Sequence, residues 1–342
     1  MTKLNVQQTL RGMTRCNFER EVTVLAMEAI STNLNLGDAT NVLRNEYVDE
    51  LCEEIRGAFF EDLFEEARAR YFAWLEDNFD TSIIQIKYKI GHTLRVIQNS
   101  EKLARMMSLS SEQIFIAKII ALLHDIFRAP QLTENASFWD YDAVSEEDKK
   151  KLISTINHAD GAVQILKADS SELLRYFVPM NWYDHLITSS IWFHSKIEIE
   201  EDYLSDEEVF FAKLIRDADK LDSLFARAHL DMMEIEGWEK SKIEKSEISE
   251  GIYNAFVEER TIFGPDRDSD ADYYFFITAF PFGLYFKEAF EIAVEKNYVA
   301  GMRNVVKFSK EHVQAQAMDM FDRLEAFIVY KAENMEPTVA PH

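Results

Sequence analysis

Ile119-Ile120-Ala121-Leu122-Leu123-His124-Asp125-Ile126 is the stretch that decides the fold. Ser111 can cap a helix running through it, with Ile116, Ile120, Leu123 and Phe127 at helical spacing. That face belongs in a core, yet His124 and Asp125 follow directly on the apolar run, at the inner end of the helix. A neutral imidazole and a carboxylate held there are costly unless something compensates them. A His-Asp pair that simply closes the helix is one answer. A metal ion is another, because it takes a deprotonated carboxylate and a neutral ring nitrogen.

Working outward, most of the chain reads at helical period and few runs alternate as strands do. Expected helices cover 16–36, 40–78, 82–107, the quoted stretch from Ser111 until Ala129-Pro130 ends it, 151–168, 184–196, 206–231, 272–296 and 309–332. Residues 1–15 read as loose, 131–150 as a long polar loop near the site, 199–208 as an acidic loop and 240–272 as irregular. The tail from Glu333, with Pro337 and Pro341, should fray. Acids along 50–66 make a solvated helix face. With 10 Gly and 6 Pro in 342 residues, an all-α protein with a sizeable core is expected. It reads as a single helical domain, with 82–230 as the core and 1–81 and 236–342 packed on it.

The formal net charge of −24 argues against nucleic acid and anionic membranes as broad-surface partners. An anionic substrate would need metal and local cations to overcome that field. Two cysteines, Cys16 and Cys52, make no disulfide framework. The start has no apolar core of signal-peptide length. The longest uncharged apolar stretch, 273–286, is broken by Pro281 and Gly283 and is too short to span a bilayer. It reads as a buried or interface helix kinked at Pro281. A cytoplasmic protein is the default, with homo-oligomerisation left open.

Of eight histidines, His92, His124, His158 and His194 fall on successive expected helices, each beside apolar neighbours. Their spacings are 32, 34 and 36 residues, with 25 more to Asp219, each close to one helix plus one connection. Helix bundles build metal sites by projecting such ligands inward from facing helices. His185 reads as structural, and His229, His312 and His342 have no companions. Asp266, Asp268 and Asp270 imitate the start of an EF-hand loop, but Ala271 and Ile277 stand where Gly and Glu are needed. No phosphate-cradling glycine loop appears.

The order His92, His124-Asp125, His158, His194, Asp219 resembles the HD-domain superfamily of metal-dependent phosphohydrolases. Gly-His-Thr-Leu-Arg-Val (91–96) is similar to its first-histidine helix, and Leu-Leu-His-Asp-Ile-Phe-Arg (122–128) to its central motif. Asn-His-Ala-Asp-Gly-Ala (157–162) is similar to the third-histidine helix, and Ile-Arg-Asp-Ala-Asp-Lys-Leu-Asp (215–222) to the closing-aspartate segment. Phe127 stands where the family usually has Gly, which should narrow the pocket. No Gly-Tyr-Pro follows His158, which argues against the cyclic-dinucleotide branch.

The resemblance implies a helical bundle with added N- and C-terminal helices. It implies that His92, His124, Asp125 and Asp219 hold one metal, and that His158 and His194 complete a second, with Asp125 bridging. Asp217 competes with Asp219 but, like Asp222, is expected to hydrogen-bond locally. Imidazole-rich sites with carboxylates suit Mn, Fe, Zn, Ni or Co. Asp125 and Arg128 would be catalytic, Arg128 neutralising a phosphoryl oxygen, while Arg95 and Lys220 are weaker candidates for binding substrate. The function implied is hydrolysis of a phosphomonoester or phosphodiester, a nucleotide or another small molecule, by metal-activated hydroxide. Two alternatives stand beside it: a di-iron oxygenase of the same fold, and a non-catalytic metal- or ligand-binding protein.

Overall fold

Residues 115–123 are all buried, and this single fact sets the architecture. A helix apolar around its whole circumference must be enclosed by others. The computed structural model describes residues 10, 13–33, 41–133, 155–167 and 173–341. Among the described residues the regular elements are helices, with no strand. We number those of the first part α1 (Arg15–Asn33), α2 (Asn41–Asn78), α3 (Ile84–Met106), α4 (Ser111–Leu123), α5 (Arg128–Thr133), α6 (His158–Lys167), α7 (Leu173–Phe177) and α8 (Asp184–Phe193). The second part holds α9 (Asp206–His229), α10 (Met232–Glu236), α11 (Lys240–Lys245), α12 (Glu250–Val257), α13 (Asp270–Thr278), α14 (Lys287–Lys296), α15 (Tyr298–Arg303) and α16 (Glu311–Asn334). Central α4 is enclosed by α2, α3, α8 and α9.

Ser110, not Ser111, caps α4. Its hydroxyl accepts from the Gln113 amide while the Gln113 side chain accepts from the Ser110 amide, a reciprocal box that satisfies two orphan donors. Lys118, on this buried helix, is neutralised by Glu61 of α2 at 2.8 Å. Helix α4 stops at Leu123, so His124 and Asp125 begin the turn after it. Pro130 does not end a helix. It lies in the first turn of short α5, where its missing N–H has no helical acceptor to lose. The loop expected over 131–150 lies outside the described residues from 134 onward, and the loose 1–15 segment is described only in part, Leu10 being buried.

Helix α9 couples the two parts, packing on α3, α4 and α8 on one side and on α13, α14 and α15 on the other. The C-terminal part differs from expectation in three places. Residues 240–272 are not irregular but carry α11, α12 and the start of α13. Residues 272–296 are not one helix kinked at Pro281. Helix α13 ends at Thr278, a 3-10 turn covers Phe280–Gly283, extended backbone follows, and α14 starts at Lys287. The tail does not fray: the Thr338 amide and hydroxyl donate to Glu288 at 3.1 and 2.6 Å, and the Pro341 carbonyl accepts from Gln113 at 3.1 Å. Buried Glu288 on α14 needs those donors, and a run read only as polar and Pro-rich could not reveal them. No helix among the described residues is long and apolar enough to cross a membrane.

Candidate metal centre

Five elements converge at the inner end of α4. His92 comes from the middle of α3, His124 and Asp125 follow α4, His158 opens α6, His194 follows α8, and Asp219 lies on α9. All except His158 and Asp219 are buried. Two triads form, His92–His124–Asp219 and Asp125–His158–His194, each with ligand atoms within 4.8 Å of one another. His92 Nε2 is 3.3 Å from His124 Nε2 and 3.3 Å from Asp219 Oδ1. His158 Nε2 is 2.9 Å from His194 Nε2.

Asp125 joins the triads through different oxygens. Its Oδ2 is 3.4 Å from His92 Nε2 and 3.8 Å from His124 Nε2, while Oδ1 is 3.5 Å from His158 Nε2. A carboxylate splayed this way can serve two ions at once.

The ring orientations are set behind the site. His124 Nδ1 is 2.8 Å from the Ala121 carbonyl and His194 Nδ1 is 2.5 Å from the Ile191 carbonyl, each three residues back in its own helix. A carbonyl only accepts, so each ring donates from Nδ1 and turns a bare Nε2 to the centre. His92 Nδ1 is 2.6 Å from Asp222 Oδ2, and Arg95 Nε holds the other Asp222 oxygen at 2.5 Å. Arg216 braces the turn beside His194, donating to the carbonyls of Phe193, Lys196 and Ile197.

Burial pulls His124 and His194 down to about 4 and His158 to about 2. For His92 burial and Lys89 act downward, but hydrogen bonds to Asp125 and Asp222 and the Asp219 charge outweigh them, and its pKa is raised. Burial would push Asp125 up, yet Lys89, His124, His92 and Arg128 hold it well below the usual carboxylate range. Three neutral imidazoles around an ionised carboxylate are the donor states a divalent ion takes, so the residues present fit such a metal.

The centre opens into a cavity of about 790 Å³. Among the described residues, Lys89, Arg128, Lys196, Arg216, Lys220 and Arg227 line it, with three acids, Asp125, Asp219 and Glu236. A protein of net charge −24 has thus gathered cations around this cavity. Arg128 Nε lies 3.5 Å from Asp125 Oδ1, an ion-pair distance without a hydrogen bond, and its Nη1 donates to Gln131 Oε1 at 3.3 Å. Lys220 lines the cavity while its Nζ donates to the Gly283 carbonyl.

Several expectations are corrected here. Arg95 does not line the cavity, because Asp222 engages it. Asp217 and Asp222 are hydrogen-bonded, but not locally. Asp217 is buried and accepts from the Tyr285 and Phe286 amides, and Asp222 reaches α3. Phe127 does not narrow the cavity. Its ring turns into the core, over Gly161 of α6. Lys89 was missed, although it lies one turn before His92 on the same face; its Nζ is 2.6 Å from Asp125 Oδ2. His185 is exposed and pairs with Glu208; Asp266 ends a 3-10 turn, and Asp270 opens α13 behind the Ser269–Asp272 capping box.

Comparison with known families agrees with this geometry. Residues 90–224 match the family model of the HD domain, which supports an HD-superfamily assignment for that segment. Most members of that superfamily are metal-dependent hydrolases. No curated protein and no solved structure matches the chain.

Proposed function

We propose that the protein is a phosphohydrolase that uses two divalent ions to cleave a phosphomonoester or phosphodiester of a small molecule. The observation that carries this reading is the pair of triads sharing Asp125 at the floor of a cation-lined cavity. His92, His124, Asp219 and Asp125 Oδ2 would hold one ion, and His158, His194 and Asp125 Oδ1 the other. Bound there, Mn, Fe, Zn, Ni or Co supplies a water of lowered pKa and positive charge for phosphoryl oxygens.

The protein's own groups do the rest. Asp222 and the Ala121 and Ile191 carbonyls aim the imidazoles. Arg128 neutralises charge on a phosphoryl oxygen, its fork suiting that geometry. Lys89, beside the bridging carboxylate, adds a second local cation.

The test is metal analysis of the purified protein, followed by a panel of phosphate esters with each divalent ion. Two equivalents and ion-dependent phosphate release are expected, with His158→Ala and His194→Ala each retaining about one equivalent. One equivalent in wild type, with full activity in both variants, overturns the two-ion reading. Oxygen uptake without phosphate release moves the protein to the oxygenases of this fold.

A further inference from the structure

The cavity has two chemically different walls. The cations come from α3, α5, α9 and the turn after α8. Residues 262–280 contribute Ile262, Phe263, Phe276, Ile277 and Phe280, all outside the matched HD segment. Two apolar residues at the cavity are not consumed by the core: Phe263 is 49% exposed and Ile197 is 73% exposed. Large exposed apolar side chains within a cleft mark a surface kept for a ligand.

The aromatic wall is built to hold its shape. Arg267 Nε donates to the Gly264 carbonyl at 2.6 Å, while its guanidinium lies 4.4 Å from the Phe276 ring centre and 4.3 Å from that of Tyr273. This arginine ties the turn after Phe263 to α13. The Phe276 and Phe280 rings pack with centroids 5.5 Å apart. Three phenylalanine rings, Phe263, Phe276 and Phe280, lining one cavity favour a flat aromatic partner over a sugar. Among the described residues the lining holds no Asn or Gln, the amides suited to reading a nucleobase edge.

Resting on the phosphohydrolase reading, we propose that this wall is a specificity subsite and that the substrate is the phosphate ester of an apolar aryl group. The cations take the phosphoryl end, and the rings of residues 263–280 take the aryl end.

Calorimetric titration of the metal-loaded protein with 1-naphthyl phosphate, glycerol phosphate, octyl phosphate, a nucleoside 5′-monophosphate and inorganic phosphate tests this apart from turnover. 1-Naphthyl phosphate should bind at least tenfold more tightly than the other four. Phe263→Ser should abolish most of that preference and leave inorganic phosphate unchanged, whereas Phe263→Trp should keep it. Equal affinities, tighter binding of octyl phosphate or of the nucleotide, or a preference surviving Phe263→Ser overturns the aryl subsite. A naphthyl preference with no phosphate release from any ester keeps the subsite and overturns the hydrolase reading.

Discussion

Phe127 and Gly161 are fitted to each other: a Cβ on Gly161 would stand 2.2 Å from the Phe127 ring. The bulky residue after the His-Asp pair is accommodated because α6 presents bare backbone to it. Gly161→Ala should therefore destabilise the protein by about 1–3 kcal/mol, the usual cost of overpacking a core. It should also weaken the second metal equivalent, since His158 lies one turn earlier on α6. Adding Phe127→Leu should recover much of the loss, as read by denaturant midpoints. Strictly additive effects of the two changes would deny that the residues are coupled.

Asp222 would act on a bound metal through His92, whose Nδ1 it holds at 2.6 Å. Asp222→Asn weakens the acceptor at His92 Nδ1 and disturbs the Arg95 pair. Divalent-ion affinity should fall by about 10–100-fold, with little change in the far-ultraviolet circular dichroism. Competition against a chromophoric chelator measures it, and wild-type affinity in the variant would make Asp222 merely structural.

The helical fold and the convergence of the six candidate residues were legible because their carriers are helices of strong period, and because a buried imidazole needs a partner. The rest lies in contacts between segments distant in sequence. Asp217 was expected to bond locally, yet its partners are the Tyr285 and Phe286 amides, sixty-eight and sixty-nine residues away in the chain. Lys89 was hidden because a lysine among polar residues reads as surface. Residues 272–296 read as one helix because periodicity counts apolar residues, while Pro281, Gly283 and the acceptor role of Asp217 break it into pieces. Nor does period alone reveal that Arg267 stacks on Phe276, since that contact depends on where a turn folds back.

Proton binding gives a second handle. His124 and His194 sit near 4 in the fold against an ordinary 6.5. Between those values the unfolded chain takes up more protons, so their contribution to stability is complete above pH 6.5 and is lost as pH falls toward 4. His92 and Asp217, both raised, act in the opposite sense. The clean comparison is thus between variants: metal-free His194→Gln should lose less stability than wild type from pH 6.5 to 4. Imidazole nitrogen shifts should show His92 titrating above 6.5 while His124 and His194 remain neutral. A protonated His194 at pH 6 would contradict this.

Arg128→Ala should leave metal content intact and slow turnover, because the arginine acts on the charge of the substrate and not on the ion. A loss of about 2–4 kcal/mol in transition-state stabilisation is expected for one such contact. It is read as kcat/KM on whichever ester the panel identifies, and an unchanged value removes Arg128 from the chemistry.

Helix α9 presents Arg216, Asp219, Lys220, Ser223, Ala226 and Arg227 to one cavity, a span of about 16 Å along a rigid rod. Inserting one residue inside that span would turn everything beyond it by about 100°, detaching Arg227 from the side that carries Asp219. Changes of length are therefore barred from α9, whereas the short helices and turns from 231 to 286 can absorb them. Descendants of this gene could replace the wall that selects the ligand while inheriting the metal centre unaltered.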